Sequence, residues 1–197
     1  MALRKILIWP DPRLKLKSKP VERVDDAIKK LCDDLAETMY EERGVGLAAP
    51  QVNAHVDVIV MDIDQRAADP EDEDVPEGTP VKTGDGLFWL INPRLILGEG
   101  EHTYTEGCLS IPDEFEEVTR FGHIVVEFIG RDGKTHRREA TQDLLCVCVQ
   151  HEMDHLQGKL FVDHLSALKR ELIRRRMKKL KADRLSEAKG EATALGI

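Results

Sequence analysis

Residues 150–158 read Gln-His-Glu-Met-Asp-His-Leu-Gln-Gly and contain the pattern His-Glu-x-x-His. On a helix, the imidazoles of His151 and His155 lie on one face, one turn apart, and can share a metal ion. Glu152 is turned about 100° around the same helix, so it cannot join that ligand pair but can reach a water beside the metal. The pattern predicts a hydrolytic metal centre of the zinc type, which needs a third protein ligand and an open position.

Four positions are candidates for the third ligand. Position 161 would complete a metzincin motif, but Phe161 cannot ligate. Glu171 has the spacing of thermolysin-like proteases, but its basic neighbours indicate an exposed ion pair within a helix. Cys148 lies about 10.5 Å of helix rise from His155, too far for its short side chain to converge on the same ion, and is predicted to be part of the apolar wall. Cys108 follows a glycine that would let a ligand or backbone approach, although a lone cysteine is more often a buried structural residue.

The sequence resembles the bacterial type of peptide deformylase. Three signatures of that family occur in order: Gly-Val-Gly-Leu-Ala-Ala-Pro-Gln at 44–51, Glu-Gly-Cys-Leu-Ser at 106–110, and the motif at 150–158. The resemblance covers nearly the whole chain except an acidic segment at 64–87, which is longer than expected. It implies that the chain hydrolyses the formyl group from N-formylmethionyl nascent peptides and releases formate.

The resemblance also implies a role for each position that matches a family motif. The implied metal ligands are Cys108, His151 and His155. Glu152 matches the catalytic acid and base, and Gln51 and the backbone N–H of Leu109 match the groups that polarise the formyl oxygen. Gly46 matches a backbone contact to the substrate. The implied pocket for the methionine side chain is lined by Val45, Leu144, Val147 and Cys148.

The residue at the rim of the substrate site and the identity of the metal ion are two further features of the site. Many relatives carry an arginine three residues after Ser-Ile-Pro, where this chain has Phe115, so contacts to the peptide beyond methionine are expected to differ. One thiolate and two imidazoles suit Zn²⁺ and Fe²⁺ alike. The resemblance implies Fe²⁺ as the native ion, with Zn²⁺, Ni²⁺ or Co²⁺ able to substitute.

Two other functions compete with this interpretation. A metalloprotease would use the same His-Glu-x-x-His pattern to cleave internal peptide bonds. A metal-stabilised binding module without catalysis would not need Glu152 or Gln51, and both are present.

Composition predicts one cytoplasmic domain over residues 1–197, expected to be a monomer. Hydrophobic residues make up 41% of the chain. The early apolar run at 6–9 ends at Pro10, too short for a signal peptide or a membrane span, although an organellar location after removal of a transit peptide stays open. The four cysteines have no disulfide-framework spacing and are expected to be free thiols, core residues or ligands.

Charge is unevenly distributed along the chain. The net charge is −8, yet residues 169–184 hold nine basic residues against Glu171 and Asp183. A basic C-terminal helix at 164–185 is therefore predicted to bind an anionic partner, and the family resemblance favours the ribosome. A solvated helix face is the alternative. Leu165, Leu168 and Leu172 are expected to anchor the base of this helix, on an apolar stripe that also includes Leu180.

Predicted strands in the middle of the chain and helices toward its two ends indicate an α+β fold. The resemblance implies antiparallel sheets packed around a central His-Glu-x-x-His helix. An N-terminal helix is expected at 22–43, ended by Gly44, and the central helix at 142–157, capped by Thr141 and stopped by Gly158. The predicted strands are 56–63, 87–97, 102–111, 116–121, 123–130 and 134–140, with a hairpin turn at 131–133. Residues 64–87 are expected to form an exposed loop.

Overall fold

Antiparallel strands occupy the middle of the chain and helices flank them, which confirms the predicted α+β fold. The computed structural model describes residues 2–64 and 86–194, with side chains up to residue 183. The strands are β1 (Gly46–Ala48), β2 (Val58–Met61), β3 (Phe88–Glu99), β4 (His102–Cys108), β5 (Ile111–Arg120), β6 (His123–Ile129) and β7 (Thr135–Thr141). The helices are α1 (Asp26–Glu41), α2 (Leu144–Leu156) and α3 (Ala167–Ala194). Nearly all of the predicted acidic loop at 64–87 lies outside the described residues.

Two antiparallel sheets surround the central helix α2. The larger sheet has the strand order β1-β2-β3-β6-β7, and β4 pairs with β5 in a separate hairpin. The predicted turn at 131–133 joins β6 to β7, with Gly133 in the left-handed conformation at φ 76°. β1 is an edge strand of the large sheet and packs against α2. One edge of that sheet is therefore next to the helix that carries the His-Glu-x-x-His motif.

The ends of α2 are set by local hydrogen bonds. Asp143 is the N-cap, because its carboxylate accepts a hydrogen bond from the backbone N–H of Cys146 at 2.7 Å. The prediction that Thr141 caps α2 is wrong, because Thr141 is the last residue of β7 and pairs with His123. Gly158 does end the helix in the left-handed conformation at φ 69°, and a side chain there would meet the backbone of Lys15.

The N-terminal helix is shorter than predicted at both ends. α1 begins after Asp25, whose side chain accepts a hydrogen bond from the backbone N–H of Ile28. Beyond Glu41 the chain turns at Arg43, which has a φ of 53°, so Arg43 rather than Gly44 takes the left-handed conformation. The loop that follows leads directly into β1.

The predicted apolar anchor of the C-terminal helix is wrong for two residues. Leu168 and Leu172 are 72% and 45% exposed, whereas Ile173 and Met177 are buried in a core cluster. The buried face differs from the prediction because the helix begins later than predicted. The chain forms a 3-10 turn at 161–164, and α3 begins only at Ala167. Leu165 therefore lies before the helix and does not share a helical stripe with Leu168 and Leu172.

Ion pairs also hold α3 on the β4–β5 hairpin. Lys169 donates to Glu116 at 2.6 Å, and Arg176 donates to Glu114 at 2.5 Å. Leu165 and Leu180 pack at the margin of the same core cluster. The first half of α3 is therefore part of the folded body.

Candidate metal centre and active site

The end of β4 and one face of α2 bring three potential metal ligands together. The ligand atoms of Cys108, His151 and His155 lie within 4.8 Å of one another. Sγ of Cys108 is 3.3 Å from Nε2 of His155, and the two imidazole centroids are 5.0 Å apart. Phe161 stacks on the ring of His151, with centroids 6.4 Å apart. Cys148, by contrast, is outside this cluster.

A buried carboxylate orients the first of the two histidines. Glu106 is two residues before Cys108 on β4, and both side chains contact the histidines of α2. Oε2 of Glu106 is 2.8 Å from Nδ1 of His151, which leaves Nε2 of that ring for a metal. Arg120 donates to both oxygens of Glu106 and, at 2.9 Å, to Asp154. The result is a buried network of ion pairs behind the three candidate ligands.

The electrostatics of these buried groups favour a positive charge. Burial would lower the pKa of His151, but its hydrogen bonds with Cys108 and Glu106 outweigh burial and raise that pKa well above its usual value. Burial lowers the pKa of His155 well below its usual value, which keeps the imidazole neutral, as a ligand must be. Burial would raise the pKa of Glu106, but hydrogen bonds from His151 and Arg120 outweigh it and lower that pKa. Nδ1 of His155 and Oε2 of Glu152 are buried without a hydrogen-bond partner among the described residues. The donor set fits a bound metal ion.

Glu106→Gln is expected to weaken metal binding by about 10–100-fold, because it removes the negative charge that orients His151. Chelator competition on the purified proteins measures this affinity. Glu117→Gln is the matched control, since Glu117 is an exposed carboxylate on the neighbouring strand. Equal metal affinity in Glu106→Gln and wild type would contradict a role for Glu106 in orienting the imidazole.

Glu152 lies at the metal cluster and close to the start of β1. It is 4% exposed, and burial raises its pKa to about 7. A side chain at Gly46 would come within 2.8 Å of both Oε1 of Glu152 and Sγ of Cys148. Only glycine at this position allows β1 to approach the helix so closely.

The side-chain amide of Gln51 is held in a fixed orientation beside the cluster. Its Oε1 accepts a hydrogen bond from the backbone N–H of Ala48 at 2.8 Å, so its Nε2 is turned toward Cys108, 3.6 Å from Sγ. Nε2 also donates to Oγ of Ser110 at 3.2 Å. An oriented amide donor next to the candidate ligands can stabilise a negative oxygen.

An open groove of about 880 Å³ leads to the cluster. Every predicted site residue lines it except His155, which is 1% exposed. Phe115 is 64% exposed at the rim, and its ring lies over Gly107. The glycine before Cys108 therefore makes room for Phe115 rather than for a ligand.

Comparisons with known proteins agree with this geometry. The family model described as polypeptide deformylase matches residues 3–171. The chain is 45% identical to a peptide deformylase from Nitrosococcus oceani and 45% identical to one from Pseudomonas aeruginosa, in each case over 91% of this chain and 96% of the relative. The chain belongs to the polypeptide deformylase family. It is therefore a metal-dependent hydrolase of that family.

Solved structures of relatives show the same fold. A peptide deformylase from Legionella pneumophila superposes with a TM-score of 0.79 at 38% identity, covering 93% of this chain and 98% of the relative. One from Ehrlichia chaffeensis in complex with actinonin gives a TM-score of 0.79 at 37% identity, covering 91% and 98%. Every residue of the candidate site lies inside the range that matches the family model. Within the described residues, no helix has the length and apolar character needed to span a membrane.

The buried ion pairs of Glu106, Arg120 and Asp154 were not predicted from the sequence. Glu106 stands inside a recognised signature, and its position two residues before Cys108 on a strand could have revealed it. Nothing in the sequence pattern indicates Arg120, which reaches Glu106 from the end of β5. Asp154 follows His151 by three residues, but its partner is not visible without the fold.

Proposed function

We propose that this protein removes the formyl group from N-formylmethionyl nascent peptides and releases formate. The observation that carries the proposal is the placement of Glu152 beside the Cys108–His151–His155 cluster, in a groove whose wall is apolar in part. A formamide is a poor electrophile and water is a poor nucleophile, so this hydrolysis needs activation of both. The cluster and its neighbours offer groups for each task.

Cys108, His151 and His155 would hold one divalent ion, with Fe²⁺ as the native metal. When bound, such an ion supplies Lewis acidity, which activates water and polarises a carbonyl. A thiolate with two imidazoles also accepts Zn²⁺, Ni²⁺ or Co²⁺. Family resemblance rather than donor chemistry favours Fe²⁺, and a thiolate beside ferrous iron predicts loss of activity in air.

The remaining chemistry falls to three groups of the chain. Glu152 takes a proton from the attacking water and later donates one to the leaving amine as the formamide C–N bond breaks. Gln51 and the backbone N–H of Leu109 donate hydrogen bonds to the oxygen that becomes negative when water adds to the formyl carbon. The pKa of about 7 for Glu152 suits a group that must both accept and donate a proton near neutral pH.

The peptide is proposed to add as an extra strand beside β1. β1 is an edge strand, so its outer backbone groups can pair with an extended chain. Gly46 would supply such a contact. The methionine side chain would then enter the apolar part of the groove, which is lined by Val45, Leu144, Val147 and Cys148. Phe115 would contact the peptide beyond methionine.

Formyl-Met peptides are expected to react about a hundredfold or more faster, in kcat/KM, than formyl-Asp peptides of the same length. A carboxylate placed among Leu144, Val147 and Cys148 would lose its hydration without gaining a partner. Formate release measured for both peptides tests this. Formyl-norleucine is the matched control, because it keeps an unbranched apolar side chain and should react like formyl-Met. Comparable rates for formyl-Met and formyl-Asp would refute the pocket.

We further propose that the exposed end of α3 binds the ribosome. Lys178, Lys179 and Lys181 are exposed, and they follow the buried Met177. Lysines on a projecting helix can neutralise RNA phosphates and release counterions, so binding should weaken steeply with salt. Proximity to emerging chains would raise the local concentration of substrate. We propose that the protein acts in the cytoplasm, as a single domain and a monomer.

Changing Lys178, Lys179 and Lys181 together to glutamine is expected to abolish salt-sensitive co-sedimentation with ribosomes while leaving the hydrolysis of short formyl peptides intact. Removal of the whole helix is unsuitable, because Ile173 and Met177 belong to the core. Arg23, Lys29 and Lys134 lie elsewhere on the molecule, and changing them together to glutamine is the control. Undiminished co-sedimentation of the α3 variant would show that the helix is only a solvated surface.

A further inference from the structure

A second cavity, of about 480 Å³, lies on the opposite side of α2 from the groove. Gln150, Met153 and Gln157 line it, and on a helix these positions are turned away from His151 and His155. Apolar side chains form much of its wall: Pro93, Leu95, Phe121, Met153 and Leu156. We call this space the rear cavity.

The charged groups of the rear cavity are mostly acidic. Asp57, Glu101 and Asp154 line it, together with the bases Arg120 and His164. Arg120 is already bound by Glu106 and Asp154, and His164 is 2.7 Å from the same oxygen of Asp154. The basic groups of the wall are therefore engaged with Glu106 and Asp154, which leaves Asp57 and Glu101 as the lining carboxylates available to a cation.

Asp57 is the most unusual residue in the wall. Oδ1 of Asp57 is buried and has no hydrogen-bond partner among the described residues. Its backbone is fixed, because its N–H donates to Lys19 and its C=O accepts from Asn92, both at 2.9 Å. Burial raises the pKa of this carboxyl. The side chain as a whole is only partly buried, but an oxygen buried without a hydrogen-bond partner costs free energy that folding alone does not explain.

We propose that the rear cavity is a binding site for an organic cation. The ligand would carry an amino or guanidinium group that donates to Asp57, on an apolar body that packs against Phe121 and Met153. Leu95 and Phe121 are 36% and 44% exposed at the mouth, where an apolar ring would cover them. A cavity of this size accepts a compound with one aromatic ring and a short chain.

Benzylamine and benzyl alcohol form a matched pair of probes, because they share the ring and differ in charge at neutral pH. Each is titrated into the protein loaded with diamagnetic Zn²⁺, and backbone amide signals are followed by NMR. Benzylamine is expected to shift the signals of Gly100, Thr119 and Gln157, which line the rear cavity, and to bind at least about tenfold more tightly than the alcohol. The signals of Gly44 and Gly46, in the groove, should stay unchanged.

Asp57→Asn is expected to weaken benzylamine binding by about tenfold or more, with unchanged formate release from short peptides. Glu101→Gln should weaken it less, because Glu101 is exposed. Asp132→Asn, an exposed change in the β6–β7 turn, should have no effect. Equal affinity for the two probes, shifts confined to the groove, or full benzylamine affinity in Asp57→Asn would each overturn the proposal. If Asp57→Asn does not fold, the benzylamine affinity of Glu101→Gln and the comparison of benzylamine with benzyl alcohol still test the proposed cation site.

Discussion

Glu152→Gln is expected to retain its metal and to lose about 10²–10⁴-fold in kcat. Glutamine has nearly the same shape as glutamate but cannot accept a proton from water or pass one to the leaving amine. Glu152 is 4% exposed and sits beside the cluster with Oε2 unpartnered among the described residues, so the site offers it a chemical role rather than a structural one. Removing the buried charge should not unfold the protein.

Two measurements on Glu152→Gln separate chemistry from folding. Metal content per protein should match wild type, and formate release under saturating peptide should show the loss in kcat. Glu117→Gln, an exposed carboxylate on β5, should match wild type in both. Activity of Glu152→Gln close to wild type would show that another group transfers the proton.

Cys108→Ala is expected to lose tight metal binding, whereas Cys148→Ala should keep it. Both cysteines line the groove, so the pair is a matched test of which sulfur ligates. Sγ of Cys108 is 3.3 Å from Nε2 of His155, whereas Sγ of Cys148 lies next to Gly46. Loss of a direct ligand should reduce metal affinity more than the 10–100-fold expected for Glu106→Gln.

Metal analysis after anaerobic purification measures this difference and also identifies the ion. Wild type and Cys148→Ala should contain close to one metal per chain, and Cys108→Ala should contain little. Equal metal content in the two variants would contradict the ligand assignment. Iron in the wild-type protein would support Fe²⁺, and zinc alone would speak against it.

Local patterns in the sequence were sufficient to predict the fold class and to suggest His151 and His155 as a pair of metal ligands. His151 and His155 are four residues apart, which places them on the same face of a helix. The same helical geometry argues against Cys148 as a ligand. Cys108 depended on family resemblance, because nothing in the sequence says which strand crosses α2. In the structure the end of β4 lies against α2, with Sγ of Cys108 3.3 Å from Nε2 of His155.

Contacts between residues that are distant in sequence could not be predicted. Arg120 and Glu106 are distant in sequence from Asp154, and only the fold brings their charges together. The prediction of which face of α3 is buried was wrong for a related reason. Leu168 and Leu172 have helical spacing, but a 3-10 turn before Ala167 rotates the buried face to other residues.

Mass spectrometry of formyl-Met-Ala-Ser incubated with anaerobically prepared protein is the most direct test of the central claim. We predict that the peptide loses its formyl group, that formate appears in equal amount, and that the bonds between its residues stay intact. A chelator added beforehand should prevent the reaction. Cleavage between methionine and alanine, or an unchanged peptide in the presence of bound metal, would contradict deformylation.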